Sequence, residues 1–208
     1  MVITISRTYG SGGKQVGKAL AAKLGYKFYD KDLCRILSDE TGINEGLFGE
    51  SDEKLTKTYI GTDVSWKKNA KPLPPSSKKY SSEKNLFKLQ AEKIKKLASE
   101  GNCIIMGRCA DKILEGNTDI IRLYCYASRH DCIKRTMEVC EISEKDAVKK
   151  IESVDKYRNS YYKHFTGKKL SDSENYDLCV NTGSMPVADI TDFVCQYIEA
   201  QQHKDTTL

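Results

Sequence analysis

No apolar run in this 208-residue chain approaches the roughly 18 residues that a membrane-spanning helix needs. The opening Met1-Val2-Ile3-Thr4-Ile5 has no basic leader and no cleavage site, so it reads as a strand and not as a signal peptide. A cytoplasmic protein with no membrane partner is the expectation. Cys-x-x-Cys pairs are missing among the eight cysteines, and the three histidines (His130, His164, His203) lie far apart. This argues against a zinc site and for reduced, mostly buried thiols, so no metal-ligating residues are assigned. Proline is scarce, and three of the four cluster in Lys71-Pro72-Leu73-Pro74-Pro75. Acidic residues are sparse between Lys67 and Lys96, where only Glu83 and Glu92 oppose the lysines. That excess suits either an anionic partner or a solvated face. Without regular aromatic interleaving, nucleic acid is disfavoured. The net charge of +5 fixes no oligomeric state.

What is present is a globular composition, 39% hydrophobic and 30% charged, long enough to bury a substantial core. Strand-like and helix-like segments alternate, and nothing separates a second core, so residues 1–208 read as one α/β domain. Val2–Ile5, Lys27–Tyr29, Cys103–Met106, Ile120–Tyr126 and Leu178–Asn181 are the expected strands. Lys14 to Leu24 reads as a helix ending at Gly25, with Val16, Leu20 and Leu24 on one face. Asp30 is expected to cap a second helix carrying Leu33, Ile36 and Leu37. The pattern decays from Gly42 to Ser82 and returns in a helix over Glu83–Ser99. Ser128-x-x-Asp131 and Ser143-x-x-Asp146 have capping-box spacing and open two more helices, the second running to about Tyr162. Pro186 starts a last helix with Ile190, Phe193, Val194, Tyr197 and Ile198 on one face. The tail after Gln201 reads as frayed. Strands alternating with helices predict a parallel sheet covered on both faces, with ligands at the carboxyl ends of the strands.

The loop after the first strand is Ser6-Arg7-Thr8-Tyr9-Gly10-Ser11-Gly12-Gly13-Lys14-Gln15. Three glycines in four residues let backbone N–H groups converge on an anion at a helix N-terminus, and Lys14 adds a full charge. Gly10, Ser11, Gly12, Gly13, Lys14 and Gln15 are therefore the candidate phosphate-binding residues. With Lys14 as the lysine of a G-x-x-x-x-G-K-[ST] loop, Thr8 stands at the first glycine and Gln15 at the hydroxyl; with Gly12 as the second motif glycine, Arg7 stands at the first and Gly13 at the lysine, and the hydroxyl is absent in both frames. A glycine-rich turn that merely joins strand to helix is the other reading.

This loop, followed by Val16-Gly17-Lys18, resembles that of the cytidylate kinase-like family. The resemblance continues through Phe28-Tyr29-Asp30, Asn102-Cys103-Ile104-Ile105-Met106-Gly107-Arg108, Asp155-x-x-Arg158, Tyr176-Asp177-Leu178 and Asn181-Thr182-Gly183. It implies a P-loop nucleoside-monophosphate-kinase fold. That means a five-stranded parallel core flanked by helices, an acceptor region near residues 30–100 and a helical lid near 129–165. It implies ATP as donor, Mg2+ bridging the donor phosphates, and a nucleoside monophosphate such as CMP or dCMP as acceptor. By the resemblance Asp30, Arg35 and Arg108 face the acceptor, and Arg135 and Arg158 bridge the two sets of phosphates. Asp155 orients Arg158, or contacts the acceptor or metal-bound water. The catalytic set is then Lys14, Arg108, Arg135, Asp155 and Arg158. Arginine suits these positions because its planar fork binds phosphate oxygens in pairs and stays charged. Arg35 and Arg135 could equally be surface residues, and Asp155 with Arg158 a plain ion pair. True cytidylate kinases have Asp-Gly-Arg-Asp where this chain has Met106-Gly107-Arg108-Cys109. A different small acceptor, or a non-catalytic nucleotide sensor, are the other functional readings, and Asp111 is a candidate to replace the missing acid.

Overall fold

Strand β1 (Val2–Arg7) lies in the middle of the sheet. The computed structural model describes residues 1–50 and 71–204, so positions 51–70 of the expected irregular stretch lie outside the described residues, as do Lys67 and Lys68 of the lysine-rich run. β2 (Lys27–Tyr29), β3 (Cys103–Met106), β4 (Ile120–Tyr126) and β5 (Leu178–Asn181) complete a parallel sheet in the order β2-β3-β1-β4-β5. All five expected strands form, and β1 runs two residues further than expected, to Arg7.

The inner strands β1, β3 and β4 look largely apolar because both faces are buried, while the edge strands β2 and β5 are more exposed, and the period of two decides which core each residue enters. Ile3, Ile5, Ile104 and Met106 point to one core, closed by Val16 and Leu20 of α1 (Gly13–Leu24) and by Ile190, Val194 and Ile198 of α8 (Val187–Lys204). Val2, Cys103 and Ile105 point to the other. There they meet α2 (Asp32–Thr41), α3 (Glu45–Glu50), α4 (Glu83–Glu100), the short α5 (Ala110–Ile113) and the C-terminal end of α7 (Glu144–Thr166). Phe87 of α4 stacks on Phe165 of α7 at 3.9 Å between ring centroids, and Tyr161 meets Phe165 edge-on at 4.8 Å. Each ring buried there contributes roughly 1.5–3 kcal/mol, so α7 is anchored at its far end. α6 (Arg129–Cys140) packs beside it.

The capping expectations hold at three helix ends. Ser128 Oγ accepts from Asp131 N at 3.1 Å and Ser143 Oγ from Asp146 N at 3.2 Å. Gly25, at φ +68°, terminates α1 by donating to Ala21 O. Five expectations are corrected. Lys31, not Asp30, is the N-cap of α2, because the Asp30 carboxylate is drawn away to Lys14. The stretch after Gly42 contains α3, whose Phe48 is fully buried. Helix α7 continues past Tyr162 to Thr166, since Phe165 still faces the core. Phe193 is 48% exposed, off the buried face of α8, which itself continues past Gln201 to Lys204. Six of the eight cysteines are buried, Cys140 is half-buried and Cys179 exposed. No described helix is long and apolar enough to cross a membrane.

Candidate nucleotide-binding site

Because β1 is hydrogen-bonded to β3 on one side and β4 on the other, the loop leaving its C-terminal end is flanked by the loops leaving both neighbours. That is where an open α/β sheet forms its ligand crevice. The crevice is a cleft of about 520 Å³. Its floor is Arg7 to Gln15, and its far wall is Arg135, Thr136, Val139 and Cys140 of α6 with Arg158 of α7.

The loop takes its shape from two left-handed glycines. Gly10 has φ +76°, and a Cβ there would lie 2.6 Å from Cys132 O and 2.7 Å from Thr136 Oγ1. Gly12, at φ +85°, is the N-cap of α1, and its Cβ would press on the Arg135 guanidinium at 3.2 Å. Ser11 is fully buried, and its Oγ donates to Thr8 O at 2.9 Å. The positive end of α1 therefore opens into the cleft at Gly13 and Lys14.

Charged groups crowd around this loop. Lys14 Nζ sits 2.6 Å from Asp30 Oδ2, the lysine half-exposed and the carboxylate largely buried. Burial pushes the Asp30 pKa up, but the Lys14 bond and the fields of Arg7, Lys14 and Arg108 outweigh it, so the net shift is downward and the carboxylate stays ionised. Arg135 Nη1 donates to Gly10 O at 2.7 Å and Nη2 to Thr182 O at 3.4 Å, which ties α6 to the loop. Asp155 Oδ1 accepts from the Tyr9 amide at 2.7 Å, which ties α7 to it as well. Arg158 lies over the Tyr9 ring, 5.5 Å from its centroid.

Of the residues expected at the site, the structure gathers Gly10, Gly12, Gly13, Lys14, Gln15, Asp30, Arg135 and Arg158 around the cleft, with Ser11 buried beneath the loop. Arg108 follows β3 in a left-handed conformation at φ +58° and is 3% exposed. It donates to Gln90 Oε1 at 3.0 Å and to Cys34 Sγ at 3.1 Å, and borders a smaller cavity together with Arg7 and Arg158. Arg35 is not among the residues lining the cleft; it is two-thirds exposed on α2, 4.0 Å from Asp32. Asp111 does not replace an acid in the cleft, because it is buried behind α7 and accepts from Tyr162 Oη at 2.6 Å.

Sequence reasoning missed Arg7, Tyr9, Lys18 and Lys31, all of which line the cleft. Arg7 had a readable signal, a charge at the end of an otherwise buried strand. Lys18 and Lys31 gave none, since a helical lysine is ordinarily a solvated one.

No functionally curated protein matches the chain in sequence. Among solved structures, an uncharacterized protein from Eubacterium ventriosum ATCC 27560 is 25% identical, with a TM-score of 0.70 over 96% of this chain and 98% of that one. A gluconokinase from Sinorhizobium meliloti 1021 is 15% identical, with a TM-score of 0.55 over 100% and 97% of the two chains. A shikimate kinase from Bacteroides thetaiotaomicron is 13% identical, with a TM-score of 0.55 over 96% and 98%. These likenesses identify the fold as that of the P-loop kinases. The model of the cytidylate kinase-like family matches residues 2–184, from β1 through the loop that follows β5, and the chain belongs to that family.

Proposed function

We propose that the chain transfers the γ-phosphoryl group of ATP to a nucleoside monophosphate, CMP or dCMP. The observation that carries this reading is the sharing of Arg7 and Arg158 between two adjoining cavities. The large one is floored by the glycine loop, and the small one is bordered by Arg108. The small cavity, of about 20 Å³, has room for a water and not for a phosphate, so two anionic groups lodged in the large cleft would meet across the pair of guanidiniums that its wall shares with the cavity of Arg108.

The charge balance of the cleft favours a phosphate acceptor over a hydroxyl acceptor. A hydroxyl needs a base to take its proton. A phosphate monoester has a second pKa of about 6 and is already deprotonated at neutral pH. Among the described residues lining the cleft, Asp30 is the one carboxylate, and Lys14 holds it. An acceptor phosphate oxygen attacks the γ-phosphorus, the bond from that phosphorus to the β,γ-bridging oxygen breaks, and ADP leaves with the electron pair. The side chains supply alignment and positive charge, the two terms that dominate this reaction. Lys14 and the loop amides hold the β- and γ-phosphates, Arg135 and Arg158 span donor and acceptor from the α6–α7 wall, and Arg108 fixes the acceptor phosphate from beneath. Asp155, bound to the Tyr9 amide, keeps α7 over the loop.

Mg2+ commonly takes one or two carboxylates together with substrate phosphates, and Asp30 fits that requirement even though Gln15 stands where the usual hydroxyl would be. When bound, the ion neutralises charge on the donor phosphates. One observation favours a different acceptor on the same scaffold: neither flank of Gly107-Arg108 is acidic, Met106 and Cys109 both being buried.

ADP release from MgATP, measured against a panel of monophosphates beside shikimate, gluconate and an acceptor-free control, tests the reaction. Stimulation by CMP or dCMP of at least tenfold is expected. Stimulation by another monophosphate keeps the reaction and changes its acceptor. Stimulation by a hydroxyl acceptor alone, or by none, sinks the reading.

A further inference from the structure

Two amides interrupt the buried face of α4. Asn85 ties the helix to the chain that leads into it, donating to Tyr80 O and accepting from Leu73 N. Gln90 reaches elsewhere. It is 1% exposed and lies on the face that also carries Leu86, Phe87, Ala91 and Ile94. A buried amide is destabilising unless its polar atoms are hydrogen-bonded, and those of Gln90 are used on Arg108 and Tyr161. Arg108 Nη1 donates to Gln90 Oε1 at 3.0 Å. Gln90 Nε2 donates to Tyr161 Oη at 3.2 Å and, at the long limit of a hydrogen bond, to Arg108 O at 3.5 Å. A guanidinium can only donate and a carbonyl only accept, so these partners fix the orientation of the amide.

The residue that Gln90 holds is in an unusual conformation. Gly107, Arg108 and Cys109 are left-handed in succession, at φ +66°, +58° and +54°. Side chains other than glycine seldom take it, and one amide bonded to both the guanidinium and the carbonyl of Arg108 braces that turn. The charge placed there is felt in the cleft, since the field of Arg108 helps to keep Asp30 ionised. A glutamate at this point of α4 would hold the guanidinium more tightly but would also cancel its charge. Glutamine holds it and leaves the charge to act on an anion. We propose that Gln90 is a positioning residue for the acceptor phosphate, fixing Arg108 behind the cleft without neutralising it. The proposal rests on the reading of Arg108 as the arginine of the acceptor. Through Tyr161, three residues beyond Arg158 on α7, the same amide links Arg108 to the helix that carries the bridging arginine.

The test titrates CMP and, separately, magnesium-free ADP into Gln90→Glu, Gln90→Met and Arg108→Met, with thermal unfolding alongside. Gln90→Glu keeps an acceptor for Nη1 and cancels the charge, so it should weaken CMP about tenfold and leave ADP within twofold. Gln90→Met, which removes the bonds, should also weaken CMP and spare ADP. A glutamine that serves packing alone gives the opposite pattern: Gln90→Glu binds CMP normally, or a variant loses CMP and ADP in step with its unfolding midpoint. Either result overturns the proposal. An unaltered protein that binds no CMP, or Arg108→Met that binds it unchanged, sinks the acceptor reading and the role of Gln90 with it. A loss in Arg108→Met that neither Gln90 variant shares overturns the role of Gln90 alone. NMR of the arginine side chains of the unaltered protein gives an answer that needs no variant. The Arg108 Nη protons should be resolved and slowly rotating before CMP is added, and should shift when it is. Averaged Arg108 signals in the free protein would mean that the guanidinium is not held in place, and would refute the proposal.

Discussion

Lys14 and Asp30 are in direct contact, yet their substitutions should change nucleotide affinity in opposite directions. In the free protein the ammonium is held by the carboxylate at 2.6 Å, and a bound phosphate must draw it away. Two unit charges about 4 Å apart attract by about 4 kcal/mol at an effective dielectric of about 20. Lys14 is 52% exposed, so solvent screening brings the net pair down to about 1 kcal/mol. The lysine's bond to a phosphate contributes about 1.5–3 kcal/mol. Net of the Asp30 pair that binding breaks, Lys14→Met should therefore weaken magnesium-free ADP by about 0.5–2 kcal/mol, about threefold to thirtyfold. Asp30→Asn, which removes the competitor and a negative charge beside the phosphates, should tighten it about fivefold. Isothermal titration at pH 7 without metal is the assay, since metal would add the carboxylate's other role. The carboxylate's pKa is shifted downward overall, so the Asp30→Asn effect holds across neutral pH. It should fade only as pH falls below the ordinary carboxylate range of about 4. Weaker binding in Asp30→Asn would refute the competition. ADP affinity within twofold of normal in Lys14→Met would remove the lysine from the phosphate site.

Two further outcomes follow from the same cleft. Gly10→Ala forces a Cβ to 2.6 Å from the Cys132 carbonyl at a left-handed residue, whereas Gly25→Ala, also left-handed, meets nothing within 4 Å. The first should lose nucleotide affinity at least tenfold; the second should lose about 1 kcal/mol in urea unfolding and keep its affinity. Cys140 lines the cleft, and the Lys150 ammonium 3.2 Å away lowers its thiol pKa, while burial raises that of the more exposed Cys179. Iodoacetamide near pH 7.5 should therefore label Cys140 first, Lys150→Met should slow the reaction, and ADP should protect; labelling unaffected by ADP would place the nucleotide elsewhere.

The sheet was legible because strands buried on both faces advertise themselves as short apolar runs, and because Ser128, Ser143 and Gly25 mark helix ends with local chemistry. The glycine loop was legible for the same reason: its shape depends on residues such as Gly10 that no other type can replace. What escaped depends on contacts distant in sequence. Asp30 looks like a cap because a helical pattern with Leu33, Ile36 and Leu37 follows it, and only the approach of Lys14 shows why it does not act as one. α3 is a single turn and a half whose Phe48 is buried by elements from elsewhere in the chain. Arg135 reads as an ordinary helical arginine until α6 is docked, when its guanidinium is found on Gly10 O and Thr182 O.

The departures of the loop from the usual phosphate-loop pattern make sense once Arg7 is included. With Thr8 at the first glycine and Gln15 at the hydroxyl, the loop gives up one metal ligand. It gains a guanidinium at its base, fixed by a strand that is hydrogen-bonded on both sides. Magnesium and arginine do the same electrostatic work on a transferring phosphoryl group. A site that relies more on arginine should depend less on the metal. Arg7→Met should thus cost more in turnover than Gln15→Ala, and the gap between them should widen as Mg2+ is lowered. If both variants respond to Mg2+ alike, Arg7 serves only to pack against the Gly13 turn, where its Cβ would lie 3.0 Å from an added Cβ, and the missing hydroxyl needs another explanation.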